Sequence, residues 1–413
     1  MKVSTCRKEI TPIDYFPCYL SGHAIRTEKA TGIMDPLWTT CIVLDVKGTK
    51  IVWITVELIG LQKEFTDEIR NYICKEYGVD FSLIQVNFVH THSAPEYQDV
   101  NFFGGPGAVS GYMDFVKEQI LDCVKSCFEQ EQIEVDAYYD TVSIEGCYSN
   151  RNGVQKPCDK GVTTVEFRND QNEVVAGLCN FTCHSTVLGP QNLEVSSDLA
   201  GFVARYCESK WHVYPVIVIG AAGDMSNRHF RQGNDLKELN RVGHEMMSQV
   251  FYKDRLPKKL NIDTVSYHNF SFHEVYTPTL EDKERQYDEI KEKVEHAKTF
   301  DEKKTYTSAL AMAKKGLACK PFDLNLECTY VCMGDFKYFV IPAELFSRFG
   351  IEIKKVMNCT CPILWGYCDY SVGYLGNIED YGASFETASS DIPKGMTEKI
   401  VSEIVKFIKE NER

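Results

Sequence analysis

No window of this 413-residue sequence approaches the roughly 18 consecutive apolar residues that a membrane-spanning helix needs. The opening Met1-Lys2-Val3-Ser4-Thr5-Cys6-Arg7-Lys8 lacks the apolar core of about 7–15 residues and the small-residue cleavage site of a secretory signal. The expectation is a cytoplasmic chain with no stable membrane insertion. Positive charge is in deficit: 45 Lys+Arg stand against 59 Asp+Glu, a net charge of −14. That balance repels phosphate backbones and argues against a nucleic-acid partner. Metal-binding cysteine frameworks are missing too, although there are 17 cysteines. The close pairs Cys123/Cys127, Cys328/Cys332 and Cys359/Cys361 have neither C-x-x-C spacing nor a histidine to complete a site. Without an export signal they read as reduced, mostly buried thiols that fill core space. The helical zinc motif is absent, because His244-Glu245 is followed by Met246-Met247-Ser248 and not by a histidine at i+4. There is no G-x-G-x-x-G and no Walker lysine. With no repeat and no low-complexity linker, one compact domain over residues 1–413 is expected, and homo-oligomerisation stays open.

Apolar patterning supplies the architecture. Cys41–Val46 and Ile51–Val56 are β-branched and read as paired strands, Leu83–Val89 as a buried strand and Val216–Ile219 as a short fully buried one. A β-rich stretch runs from Val135 to about Phe181. Gln62–Tyr77, Tyr112–Glu129, Leu199–Cys207 and Leu236–Phe251 have helical spacing. Leu280–Lys315 is charged, lacks Gly and Pro, and reads as an inserted helical hairpin broken near Phe300-Asp301, either a lid or a solvated structural hairpin. Strands resume at Cys328–Met333 and Tyr338–Ile341. Two helices follow, around Leu345–Val356 and Pro393–Lys409, with Pro393 at a first helical position. The alternation predicts an α/β fold: a single domain of mixed β-sheets packed together and flanked by helices.

Three segments could carry chemistry. His90-Thr91-His92 follows a predicted strand, and at period two the imidazoles would share a face. A hydrogen-bonded structural pair and a ligand pair both satisfy that pattern. His184 also ends an apolar strand, where a lone histidine is more often a satisfied core residue; the Ser196-Ser197-Asp198 that follows suits a helix N-cap. Gly220-Ala221-Ala222-Gly223-Asp224-Met225-Ser226-Asn227 leaves room for a ligand to approach backbone.

The order of these segments resembles the neutral/alkaline ceramidase family. Ile10-Thr11-Pro12 with Ser21-Gly22-His23 is similar to its opening, and His90-Thr91-His92-Ser93-Ala94-Pro95 to its H-T-H-S-G-P. Asn150-Arg151-Asn152 resembles N-R-S. Cys183-His184-Ser185-Thr186 with Ser196–Gly201 resembles T-H-x-T and S-x-D-N-x-G, and Gly223–Asn227 resembles G-D-V-S-P-N. Pro342-Ala343-Glu344-Leu345 looks like P-G-E-x, and Tyr374 through Glu379-Asp380-Tyr381 like Y-x-x-x-x-E-E-Y. The family's long segment after N-R-S, the proline of G-D-V-S-P-N and its C-terminal immunoglobulin-like domain have no counterpart here.

The resemblance implies one zinc ion per chain, bound by His90, His184, Glu344 and Tyr374, a donor set that suits Zn²⁺. Zinc lowers the pKa of a bound water to about 7, so the implied reaction is attack of hydroxide on an amide carbonyl. His92 and Arg151, with Tyr374 as a third, become the expected oxyanion donors, each worth about 2.7–4 kcal/mol of barrier. Asp198 would orient a histidine, and Ser226 aligns with a functionally important serine without being a nucleophile. The departures favour a soluble N-acyl amine over ceramide as the substrate. A zinc esterase or lactonase, or a relative that binds ligand without turnover, remains an alternative.

Overall fold

The computed structural model describes residues 1–100, 105–252, 256–382, 384–388 and 390–412, with the side chains of residues 300 and 301 outside that set. Among the described residues three sheets form the body. The first orders its strands Ile84–Phe88, Thr49–Val56, Trp38–Val46, Lys2–Glu9 and Ile133–Glu134. In the second, Val216–Ile219 is followed by Val174–Phe181, Gly161–Arg168, Asp136–Ser143 and Lys258–Leu260. The third runs Ser266–Tyr276, Phe322–Met333, Phe336–Val340, Cys361–Trp365. The mixed α/β architecture expected from the sequence is what forms.

Most neighbours are antiparallel, and the short connections at 47–48, 169–173 and 334–335 require it of the pairs they join. Each sheet nevertheless ends in one parallel pair: Val52↔Ile84 in the first, Leu178↔Val216 in the second and Phe336↔Cys361 in the third. A parallel edge strand needs a crossover and lies buried, which explains the unbroken apolar run Val216–Ile219. Ile84–Phe88 is also buried throughout despite Gln85 and Asn87. Their amides are satisfied internally: Asn87 donates to the Ile217 carbonyl at 2.7 Å, and Gln85 accepts from the Tyr338 hydroxyl at 2.9 Å. These bonds tie the edge strand Ile84–Phe88 to one strand of each of the other two sheets, because an unpaired buried amide would be costly.

Helices cover the outer faces. Tyr112–Glu129 packs on the first sheet, Asp198–Trp211 and Leu236–Val250 on the second, and Ser347–Val356 and Met396–Asn411 on the third. Cys123 and Cys127 are buried here and direct their thiols at backbone carbonyls, in keeping with a filler role. No helix among the described residues is long and apolar enough to cross a membrane.

Four local expectations need correction. The last helix begins at Met396, not Pro393, because Gly395 takes a left-handed conformation (φ 83°) at its N-cap. The hairpin breaks just before Phe300, where Thr299 and Glu302 form a capping box. The strand at Cys328–Met333 extends from Phe322 and pairs along its length with Ser266–Tyr276. Lastly, the hairpin Leu280–Glu295/Phe300–Gly316 is docked and not merely solvated: Ile290, Ala309 and Ala313 pack with Ala388, and Lys283 pairs with Asp391 at 2.6 Å.

Candidate metal centre

The three parallel pairs point their carboxyl ends to one place, the position where α/β folds display sites. Each pair contributes a side chain there. His90 follows Ile84–Phe88, and its Nδ1 meets the Ile59 carbonyl beyond the neighbouring strand at 2.8 Å. His184 follows Val174–Phe181, and its Nδ1 meets the Ala222 carbonyl beyond Val216–Ile219 at 2.7 Å. Glu344 follows Phe336–Val340 and pairs in register with Tyr374 in a short parallel ladder. His92 is held from the N-terminal loop, with Nδ1 3.0 Å from the Gly22 carbonyl. The His90–His92 convergence does not come from strand periodicity. The strand ends at Phe88, and His90 sits at φ 58°, a conformation that is strained for a non-glycine residue and turns its ring inward.

A carbonyl oxygen only accepts, so all three Nδ1 atoms carry a proton, and in each neutral ring Nε2 presents its lone pair. Burial, then the nearby Arg151, lowers the pKa of His184 to about 4; burial, with His90 and His23, drives that of His92 well below the usual range. Burial would raise the Glu344 carboxyl, but His90 and His184 outweigh it and hold the pKa below its ordinary value. His92 and His184 are therefore neutral imidazoles, and Glu344 is a carboxylate. The His92 and His90 Nε2 atoms are 3.3 Å apart, and Glu344 Oε2 is 3.3 Å from His90 Nε2 and 3.1 Å from His184 Nε2. The three histidine ligand atoms all lie within 4.8 Å of one another. Lone pairs at such separations repel with no proton between them; a cation relieves that repulsion. Zinc bonds of about 2.0–2.1 Å in tetrahedral geometry give ligand–ligand edges of about 3.3 Å. The donor set fits the ion.

Of the remaining expected residues, Tyr374 lies with its ring parallel to His184, centroids 6.4 Å apart, and accepts from Arg151 Nη2 at 3.3 Å. Burial, then Glu344, raises its phenol pKa well above 10, so it keeps its proton. His92, expected as an oxyanion donor, presents an acceptor at Nε2 and belongs geometrically with the ligands. Asp198 meets no imidazole among the described residues. Its carboxylate takes the backbone N–H groups of Val187, Leu188 and Leu199 at 3.1, 3.0 and 2.7 Å, pinning the loop after His184. The histidines are oriented by backbone carbonyls instead. Ser226 is buried and accepts from the Arg228 N–H at 3.2 Å, with no catalytic partner among the described residues. The Gly220–Asn227 segment, read as room for a ligand, makes room for protein: a Cβ on Gly223 would lie 2.3 Å from the Glu344 carbonyl oxygen.

Sequence reasoning missed three residues. Glu386 is ion-paired with Arg151. Arg26 is buried and donates to the His92 carbonyl at 2.8 Å. Tyr367 sits at φ 54° with its ring 4.7 Å from that of His90. None belongs to a local motif. The site opens on a cavity of about 620 Å³, in the usual range for a small-molecule pocket. His90, His92, Arg151, Ser226, Glu344 and Tyr374 line one side, and Lys304, Ser308 and Met312 of the hairpin line another. The hairpin is thus a wall of the site.

A mixed three-sheet α/β protein with a buried His₃–carboxylate group at its converging strand ends is the class that fold and site define. Among solved structures the chain is similar to the neutral ceramidase from Pseudomonas aeruginosa, at 13% identity and a TM-score of 0.75, covering 99% of this chain and 74% of that one. It is also similar to a ceramidase complexed with C2, at 12% identity and a TM-score of 0.73, covering 100% of this chain and 75% of that one. The fold is that of the neutral ceramidases. No family model matches the sequence, and no curated protein matches it.

Proposed function

We propose that this chain is a zinc-dependent hydrolase, with one ion per chain, that cleaves the amide bond of an N-acylated small molecule. The observation that carries this reading is the convergence of three imidazole lone pairs and the Glu344 carboxylate on the wall of a ligand-sized cavity. The ceramidase fold relatives support an amide as the bond cleaved. His90, His184 and Glu344 would hold the ion, with His92 favoured over Tyr374 for the remaining position. When bound, zinc supplies a Lewis acid that makes hydroxide available near neutral pH. Arg151 has a guanidinium corner, Nη1, with no hydrogen bond among the described residues, and it faces the cavity as a donor to developing negative charge. The Tyr374 hydroxyl, held by Arg151, offers a second proton donor beside it. Apolar side chains such as Met312, Phe322 and Ile392 give an acyl group somewhere to lie.

Zinc content by elemental analysis, together with hydrolysis of a panel of N-acyl amines and matched esters, tests the reading. One zinc per chain, amide cleavage that chelator abolishes, and loss of both in His184→Ala are expected. Full activity in a metal-free His184→Ala protein would sink it.

A further inference from the structure

Arg151 is an uncommon thing to bury: its side chain is 9% exposed, so its charge needs a partner inside the protein. Glu386, 1% exposed, is that partner. One of its oxygens accepts the Arg151 Nε–H, and the other accepts from Asn152 Nδ2 at 3.1 Å. Nη2 is held separately, by the Gly223 carbonyl at 2.8 Å, and also reaches the Tyr374 hydroxyl at 3.3 Å. The guanidinium is rigid and planar, so fixing Nε and Nη2 fixes the plane and leaves Nη1 toward the cavity. Glu386 sits on the short helix Phe385–Ala388. Phe385 packs edge-on to Tyr374 at 6.0 Å, and Ala388 packs beneath the hairpin. One turn of helix therefore touches both proposed donors and the cavity wall.

We infer that Glu386 is a positioning residue for the hydrolysis proposed above: it sets the plane of Arg151 and, through Arg151, the place of the Tyr374 hydroxyl. The inference rests on that hydrolase reading for its kinetic consequence but not for its structural one. A double-mutant cycle tests the first. Glu386→Ala should keep its zinc and lose about 100-fold in kcat with little change in KM, the size of a lost oxyanion donor. Arg151→Ala should lose a similar amount, and the double variant no more than Arg151→Ala alone, because the two act as one unit. Glu386→Gln keeps an acceptor for Nε–H and should recover part of the loss. Effects that multiply in the double variant, or a wild-type kcat in Glu386→Ala, overturn the inference. The structural arm needs no substrate. In crystal structures of Glu386→Ala, or of Glu386→Leu should the alanine variant not fold, the guanidinium should leave its bond to Tyr374 or lose its single orientation. An unmoved Arg151 in Glu386→Ala, or in Glu386→Leu where that is the variant that folds, refutes the positioning role even if no hydrolysed substrate has been found.

Discussion

The two sides of the cavity are built on different principles. On the proposed ligand side, His90, His184 and Glu344 hang from the carboxyl ends of three parallel strand pairs, and backbone carbonyls just beyond the neighbouring strands aim the imidazoles. On the donor side, Arg151, Tyr374 and Glu386 hold one another through side-chain contacts, on loops and one short helix. Sheet register fixes the first side, since slipping a strand would move its whole buried face. Mutual packing and charge fix the second, so it should yield to single conservative changes. Short of removal of a ligand itself, the ligand side should respond only to changes that move backbone.

The sharpest way to break that comparison is to push backbone on the ligand side without touching a ligand. Gly223→Val places a Cβ where the Glu344 carbonyl oxygen now lies 2.3 Å away, and neither peptide can give way. The expected cost is about 1–3 kcal/mol of stability from overpacking. Zinc affinity should fall by about 100-fold, as when an outer support of a metal ligand is lost. Thermal melts and competition with a chromophoric chelator measure both. Wild-type zinc affinity in this variant would mean that register is not what places Glu344.

On the donor side a conservative change should suffice. Arg151→Lys keeps the charge but cannot bond Glu386, Gly223 and Tyr374 at once, because an ammonium on a flexible stem lacks the planar fork. Zinc content should be unchanged while kcat falls roughly 30-fold. A lysine variant that loses its zinc would merge the two halves into one unit.

The two sides also differ in how much of them the sequence discloses. The ligand side was legible because each ligand ends an apolar strand that patterning finds: Leu83–Val89 before His90, Val174–Phe181 before His184, Tyr338–Ile341 before Glu344. The resemblance then ordered those ends. Patterning could not say that the strands are parallel, or that Ile59 and Ala222 lend carbonyls, because such pairing is a long-range property. Glu386 and Arg26 were invisible for a related reason: a buried charge is recognised by its distant partner, and no local spacing marks it. The tautomer of His92 was also hidden, since it depends on the Gly22 carbonyl from 70 residues away. So the residues of the ligand side were readable, whereas their protonation and the whole supporting shell of the donor side were not.

The smallest expected effect separates the two sides by pH. On the donor side, Glu386 holds the Arg151 pKa above its ordinary value despite burial, and Arg151 holds that of Glu386 below its own. Both stay charged from pH 5 to pH 8. His184 on the ligand side is different: its folded-state pKa of about 4, set by burial and by Arg151, lies below the ordinary 6.5. Between those values the unfolded chain takes a proton that the folded chain refuses. The His184 contribution to stability is thus complete above about pH 6.5 and is lost as pH falls toward 4. Asp198 and Asp224, both pushed up to about 7 by burial, act with the opposite sign in the same window, so the total slope alone is uninformative. The difference between wild type and His184→Asn isolates the histidine. In metal-free protein, urea unfolding at pH 6.5 and pH 5 should show wild type losing about 1–2 kcal/mol more than the variant. Equal losses would mean that the imidazole is no harder to protonate in the fold than out of it, and that its lone pair is not held ready for a cation.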